Sequence, residues 1–328
     1  MSIIENIDVK CHHCLGLKNK FVIELNAAKY FYCLNCALLF SSYVLSDKDI
    51  NQHYVNKREN EKDLEERFRF KHEANLIRKK ALFGDLENVN GIKTLDIGCG
   101  EGSFVYIFNK IGAEAYGIEP VGQQAECGIR KYKLNIKNEF YELNSFPKNS
   151  FNLITINRVL EHMPNPIEIV EIIHFHLKDH GLLFIDVPSY RMRGGQFTPV
   201  QFGYTHLRLY DMDSLEFFLN NNGFEIVKTF PDLEPYGHNY KPGVACLARK
   251  ACAINDIRSN RAEYWPFYED AQKHSVLEKL KRLEESIAVY YWENTIYYQT
   301  CLLIKFIWRK IIPLKLRVLI YSVRKKLI

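Results

Sequence analysis

The rhythm of hydrophobic and polar residues changes several times along the chain. Between Phe21 and Cys33, FVIELNAAKYFYC is rich in Val, Ile, Phe and Tyr, residues that suit a half-buried pleated surface, and it predicts strands of a small sheet. From 47 to 83 the chain is heavily charged, with Leu64, Phe68, Leu76 and Ile77 at helical intervals and Gly84 placed to stop the helix. This stretch reads as a linker followed by a helix that packs on the next domain. A short apolar strand, TLDI, then runs through three glycines into the helical pattern FVYIFNKIG, and a second strand, AYGI, follows. Far downstream, Val276, Leu280, Leu283, Ile287, Tyr290, Asn294, Tyr297, Cys301, Ile304, Trp308 and Ile311 recur in steps of four and three until Pro313. Such a seam can pair with a second copy to make a homodimer, with Asn294 fixing register. Its second half is apolar on other faces too, as in CLLIKFIW, which speaks as strongly for docking on the chain's own domain.

A chain of 328 residues suits two domains, or one with substantial attachments. Its 47% hydrophobic and 25% charged residues, with 41 Phe and Tyr, fit a globular protein and rule out collagen, wholesale disorder and a small disulfide scaffold. No uninterrupted apolar run reaches the roughly 18 residues that span a bilayer, and the start MSIIENIDVK lacks the pattern of a secretory signal. The expected compartment is the cytoplasm. Charge is unevenly spread: every acidic residue lies at or before Glu293, while the last 35 residues carry eight cations, so a body of −3 is joined to a tail of +8. That balance argues against nucleic acid as the partner of the body. The tail, RKIIPLKLRVLIYSVRKKLI, mixes cations with Ile, Leu and Tyr, and is suited to peripheral contact with anionic lipid at the inner face of the membrane.

Four of the nine cysteines form two pairs, Cys11-x2-Cys14 and Cys33-x2-Cys36, with 18 residues between them. Each short turn can aim two thiolates at one tetrahedral ion, so the spacing predicts a zinc ribbon over 1–46 with the four cysteines as metal ligands. A unit of about 45 residues buries too little apolar surface to hold itself together, and structural Zn2+ would supply much of its folding energy. His12 and His13 sit inside the first knuckle and could replace a cysteine, although four thiolates are the simpler set. Cys99, Cys127, Cys246, Cys252 and Cys301 show no ligand spacing and read as small hydrophobes.

The most informative stretch is KTLDIGCGEGSF, Lys93 to Phe104. Gly98, Gly100 and Gly102 lie at alternate positions between a strand and a helix, where they permit backbone angles closed to other residues and let a ligand approach the helix N-terminus. Seventeen residues beyond Gly102 the second strand ends in Glu119, an acid placed to accept hydrogen bonds from both hydroxyls of a ribose. A dinucleotide fingerprint would need glycine where Ser103 stands, and the preceding Asp96 is also unlike it.

With these features the chain resembles the class I S-adenosylmethionine-dependent methyltransferases over about residues 70 to 250. The resemblance implies an α/β fold: a Rossmann-like seven-stranded domain over 84–252, preceded by the ribbon and the 47–83 segment and followed by a helical basic extension over 253–328. Asp96, Gly98, Gly100 and Gly102 match the family's first motif and Glu119 its second. NEFYELNSFPKNSFNLITINRVLEHMPNP is similar to the third strand, adenine-side loop, fourth strand and following helix. On that match Glu142 and Leu143 flank the adenine, and Asn157 and Arg158 end the fourth strand. GLLFIDVPS resembles the fifth strand, THLRLYDMDSLEFFLNNNGFEIV the next helix and sixth strand, and VACLARK the last strand. The chain departs from the family at Asn152, where Asp is common, and in an adenine loop poor in acids.

Methyl transfer is an in-line displacement at a sulfonium carbon, so alignment of the acceptor is most of the task, and an alcohol acceptor also needs its proton removed. Open α/β sheets bind ligands outside the carboxyl ends of their strands, which selects His162 after the fourth strand and His206 after the fifth as candidate bases, with Asp186 as an orienting or alternative acid. His174, His176 and His180 are assigned to a helix surface. Tyr190, Arg191 and Arg193 fall in a connection long enough to cover an acceptor. Zinc knuckles ahead of such a core recur in enzymes that look like this one and modify sugars of bacterial surface polysaccharides. The implied acceptor is a saccharide, free, nucleotide-linked or carried on a lipid. The short extension beyond Lys250 favours methylation at oxygen over carbon. RNA methylation and a non-catalytic cofactor-binding subunit are the rival readings.

Overall fold

A computed structural model of the chain describes residues 9–25, 28–42, 60–84, 89–191, 201–202, 205–230, 243–251 and 280–287. Three short strands come first: β1 (Asn19–Leu25), β2 (Ala28–Cys33) and β3 (Leu39–Ser41). A long helix, α1 (Glu61–Phe83), leads to β4 (Lys93–Ile97), α2 (Ser103–Lys110), β5 (Glu114–Ile118), α3 (Gly122–Tyr132) and the two-residue β6 (Ile136–Lys137). Then follow β7 (Phe151–Asn157), a single 3-10 turn (Leu160–His162), α4 (Pro166–His176), β8 (Leu177–Pro188), β9 (Arg208–Leu209), α5 (Met212–Asn220), β10 (Phe224–Phe230) and β11 (Gly243–Lys250).

Seven strands form one sheet in the order β10-β11-β8-β7-β4-β5-β6, parallel from β8 to β6, with β11 antiparallel to both of its neighbours. This is the α/β architecture expected. Side chains alternate between two cores: Ile154 and Leu183 belong to one, Leu153 and Phe184 to the other. Both faces are buried, which explains the near-continuous apolar runs of β7 and β8. The third strand is shorter and earlier than the family match placed it, because Ile136 and Lys137 pair with Gly117 and Ile118 while NEFYEL forms a loop. Asn152, where the family has Asp, accepts from the Lys93 backbone N–H and from Lys178 Nζ, each at 3.0 Å, so the amide bridges strand ends without a charge.

Helix α1 starts where Asn60 accepts from the Asp63 N–H at 3.0 Å and stops at Gly84, whose φ of 62° suits glycine. Its buried face runs Leu64, Phe68, Ala74, Asn75 and Arg78, while Leu76 and Ile77 are exposed. The apolar seam expected there is thus corrected: past Phe68 the inner face turns polar because it lies over the glycine turn and the ends of the central strands.

The small N-terminal sheet is β1-β2-β3-β9, and its fourth strand comes from the larger domain through Leu39 opposite Leu209 and Phe40 opposite Arg208. Cys11, Phe31, Leu38 and Phe40 share one core with Leu95, Ile156 and Phe218, so ribbon and large sheet form a single compact unit. Residues 280–287 are helical, with Leu280, Leu283 and Ile287 buried. The rest of the seam, the basic tail, the 47–59 linker, Arg193, Cys252 and Cys301 lie outside the described residues. No described helix is long and apolar enough to cross a membrane.

Candidate functional site

The strand order reverses beside β4: β5 and β6 lie on one side, β7 and β8 on the other. This opens a crevice at the carboxyl ends. Gly98, Gly100 and Gly102 turn through it with φ of 65°, 58° and 78°. A Cβ on Gly98 would fall inside the Val159 side chain, so the strain of substitution there is steric as well as conformational. Gly102 caps α2 with no side-chain hydrogen bond, leaving the helix N-terminus to the crevice. Glu119 is buried and pinned by two backbone donors, Gly100 N–H to Oε2 at 2.8 Å and Val121 N–H to Oε1 at 2.9 Å. Burial raises its pKa, and the two donors pull against that rise.

Beneath the turn, Asp96 Oδ1 accepts from Thr155 Oγ1 at 2.6 Å and Asn157 Nδ2 at 3.2 Å, tying β4 to β7. Burial pushes its pKa up to about 6. Asn157 then presents a buried Oδ1 without a partner, an acceptor fit for a ligand's donor.

The polar face of α1 supplies residues that sequence reasoning missed. Lys71 Nζ and Arg67 Nη1 flank the fully buried Glu101 at 3.2 and 3.4 Å, and Asn75 Nδ2 donates to Ser103 Oγ at 2.8 Å. Arg78 pairs with Asp186 Oδ2 through Nε at 3.0 Å and through Nη2, and Arg158 Nε reaches Asp186 Oδ1 at 3.0 Å. Burial alone would raise the Asp186 pKa, but the two guanidiniums hold it below the usual range. Asp186 is therefore a strand-end anchor locked as a carboxylate. The residue expected as an orienting or alternative acid is thus a carboxylate shared by two arginines. The signal was available: positions 64, 68, 71, 75 and 78 form one helical stripe that is apolar at first and polar after.

On the side of β6, Glu142 is exposed and its N–H donates to Ser145 Oγ at 3.0 Å, while Leu143 lies 55% exposed at the lip. The loop is held from below by His176, which bonds Tyr141 Oη through Nδ1 at 2.8 Å and the Leu143 carbonyl through Nε2 at 3.1 Å. His176 is fully buried and His174 nearly so, and His180 stands on β8, so none has the helix-surface role expected. Burial lowers the His176 pKa and keeps the ring neutral for that double contact.

His162 and His206 come together, their ring centroids 4.8 Å apart. His162 Nδ1 donates to the Thr205 carbonyl at 2.7 Å and His206 Nδ1 to that of Gln201 at 2.5 Å. A carbonyl can only accept, so Nδ1 carries a proton in both rings, and in the neutral ring Nε2 carries the lone pair. Beside them Glu161 is buried, and burial lifts its pKa to about 7. The small sheet holds this corner: Leu207 N–H donates to Glu161 O at 3.0 Å, Arg208 Nη2 to Pro164 O at 2.8 Å, and Tyr30 Oη to His206 O at 3.1 Å. Tyr190, expected in a cover over the acceptor, is instead fully buried and donates to Asp211 Oδ2 at 3.0 Å.

The sulfurs of Cys11, Cys14, Cys33 and Cys36 lie within 4.8 Å of one another, with Cys11–Cys36 at 3.5 Å and Cys14–Cys33 at 3.4 Å, and none forms a disulfide. Zinc–sulfur bonds of about 2.3 Å place tetrahedral thiolates about 3.8 Å apart, so the cluster fits a zinc site. His13 stacks on Phe218 at 4.0 Å and bonds Tyr210 Oη at 3.2 Å, which commits it elsewhere. Cys99 and Cys246 are buried as expected, whereas Cys127 is half-buried.

A family model described as a methyltransferase domain matches residues 52–229. A ubiquinone biosynthesis O-methyltransferase of Glaesserella parasuis is 32% identical over 124 residues, covering 35% of this chain and 52% of that protein. One of Aliivibrio fischeri is 26% identical over 148 residues, covering 42% of this chain and 62% of that protein. The chain thus spans little more than half the length of these curated relatives. A SAM-dependent methyltransferase from Aquifex aeolicus aligns with a TM-score of 0.44 and 15% identity, over 59% of this chain and 100% of that one.

Proposed function

The chain belongs to the methyltransferase-domain family, and from that premise we propose that it is an S-adenosylmethionine-dependent methyltransferase that methylates a saccharide hydroxyl in glycan or surface-polysaccharide biosynthesis. The observation that carries oxygen as the acceptor atom is the pair His162 and His206, whose Nε2 lone pairs stand outside the carboxyl ends of β7 and β8. The donor lies over Gly98–Gly102, with its ribose on Glu119 and its amino group served by Asn157 Oδ1. Glu142 and Leu143 border the adenine.

In the reaction, an oxygen lone pair forms the new bond to the methyl carbon, and the carbon–sulfur bond breaks with its pair left on sulfur. The acceptor proton must leave as this happens, and the two histidines serve that need. The four thiolates hold a structural Zn2+. The basic tail brings the protein to anionic membranes where a lipid-linked glycan waits.

The names of the curated relatives favour a second reading, a hydroxyl on a molecule of ubiquinone biosynthesis. Incubation with methyl-labelled donor and a panel of nucleotide sugars, lipid-linked glycans, ubiquinone precursors and RNA decides between them. Label on a saccharide oxygen is the expected result. Label on carbon, on RNA or only on ubiquinone precursors overturns the saccharide proposal.

A further inference from the structure

We propose that Glu161, His162 and His206 form a divalent-cation site, separate from the thiolate cluster, that takes the acceptor hydroxyl as a further ligand. The proposal rests on oxygen being the methylated atom.

Three observations converge. One candidate ligand atom from each residue lies within 4.8 Å of the others, and Glu161 Oε1 stands 3.6 Å from His162 Nε2. Bonds of about 2.1 Å to a cation bring neighbouring ligand atoms to about 3–4 Å, a contraction that small side-chain rotations supply. Each imidazole also spends its Nδ1 proton on a backbone carbonyl, which is how metal-binding histidines are oriented. Finally, Glu161 Oε2 is buried with no hydrogen-bond partner, and Glu161 itself is only 1% exposed.

In a histidine–carboxylate pair the ring gives an N–H to the carboxylate, whereas here both Nδ1–H groups point at carbonyls. With neutral rings a nitrogen lone pair faces the carboxylate, and a positive charge between them, a metal ion or a proton on Nε2, relieves that opposition. Two neutral imidazoles and one carboxylate suit Zn2+, Mn2+, Fe2+ or Co2+, and three protein ligands leave positions open. The site also sits where the sheet places acceptor chemistry. Its turn follows β7, and the Arg158 N–H between them donates to Asp186 O at 2.8 Å on the neighbouring strand.

A cation here binds the acceptor oxygen and lowers the hydroxyl pKa, so the proton passes to solvent while the oxygen pair attacks the methyl carbon. The leaving pair goes to sulfur, and the cation keeps its charge throughout. The histidines then act on the acceptor through the metal.

The test titrates Mn2+ into protein whose thiolate cluster is counted as zinc-loaded, following free Mn2+ by electron paramagnetic resonance. The expected result is one Mn2+ bound per chain. Glu161→Gln and His206→Asn should each weaken it at least tenfold, with S-adenosylmethionine affinity by calorimetry unchanged within twofold. That unchanged affinity also shows that the variants fold. Absence of Mn2+ uptake by the native chain, or uptake that both variants retain, overturns the site. Mn2+ uptake without any methylated oxygen overturns the acceptor reading and leaves the site standing. A full rate with the cation chelated and the ribbon zinc retained overturns its part in the reaction.

Discussion

Around Gly98–Gly102 the crevice is made mostly of main chain: a turn with φ held near 60–80°, an open helix N-terminus, and one carboxylate pinned by two N–H groups. Across β4 the proposed acceptor corner is made of side chains, two imidazoles and a carboxylate hung from a 3-10 turn and from the approach to β9. A main-chain turn that rests on positive φ at its glycines tolerates few substitutions. Side chains can be exchanged one at a time, which suits the half of the site that must differ between acceptors.

That contrast makes the donor side brittle and the acceptor side separable. The largest effect is expected from Gly98→Val, which meets both a positive φ and the Val159 side chain: donor binding by calorimetry should fall more than 100-fold. Gly100→Val, whose added Cβ meets Lys71 and Gln124 and not the Glu161 turn, should keep Mn2+ uptake at the histidines; its loss would join the two halves into one. Next comes His206→Asn, for which the turnover rate should fall by about 10²-fold while donor affinity stays as in the native chain. A parallel fall in donor affinity would deny the division of labour.

The two buried aspartates give effects of opposite sign. Asp186→Asn leaves two guanidiniums without their anion and should cost about 3 kcal/mol in urea denaturation. The Asp186 pKa is depressed by folding, so its stabilisation is present above the ordinary carboxylate range and is lost as pH falls through the folded value. Asp96 is raised to about 6, so the folded state keeps that proton longer than the unfolded chain, and stability declines as pH climbs toward and through that value. Asp96→Asn should remove that decline, as urea midpoints across this range would show. The smallest effect belongs to Leu143→Ala at the exposed lip, where a change of donor affinity beyond about fivefold would mark the loop as a closed wall instead of an edge.

The same contrast explains what could be read in advance. The alternating glycines, Glu119 and the paired cysteines depend on local spacing, and local spacing is visible in a sequence. His162 and His206 were selectable because they follow sheet strands, yet Glu161, adjacent in the chain, passed unnoticed, since only the fold shows its Oε2 buried without a hydrogen-bond partner. Lys71, Asn75 and Arg78 hid in a stripe that changes from apolar to polar halfway along α1. His176 looked like helix surface because nothing nearby in sequence announces that Tyr141 and Leu143 will fold over it. Asp186 looked like a strand-end acid until two arginines from distant segments closed on it.

The loan of Arg208 and Leu209 to the small N-terminal sheet has a consequence for how such proteins diversify. A recombination event that replaced the first 46 residues with another cysteine knuckle would strip the edge from those two residues and slacken the hold on His206. Knuckle and His206 corner are therefore coupled through that shared edge, and a graft at residue 46 should disturb the histidines before it disturbs the glycine turn.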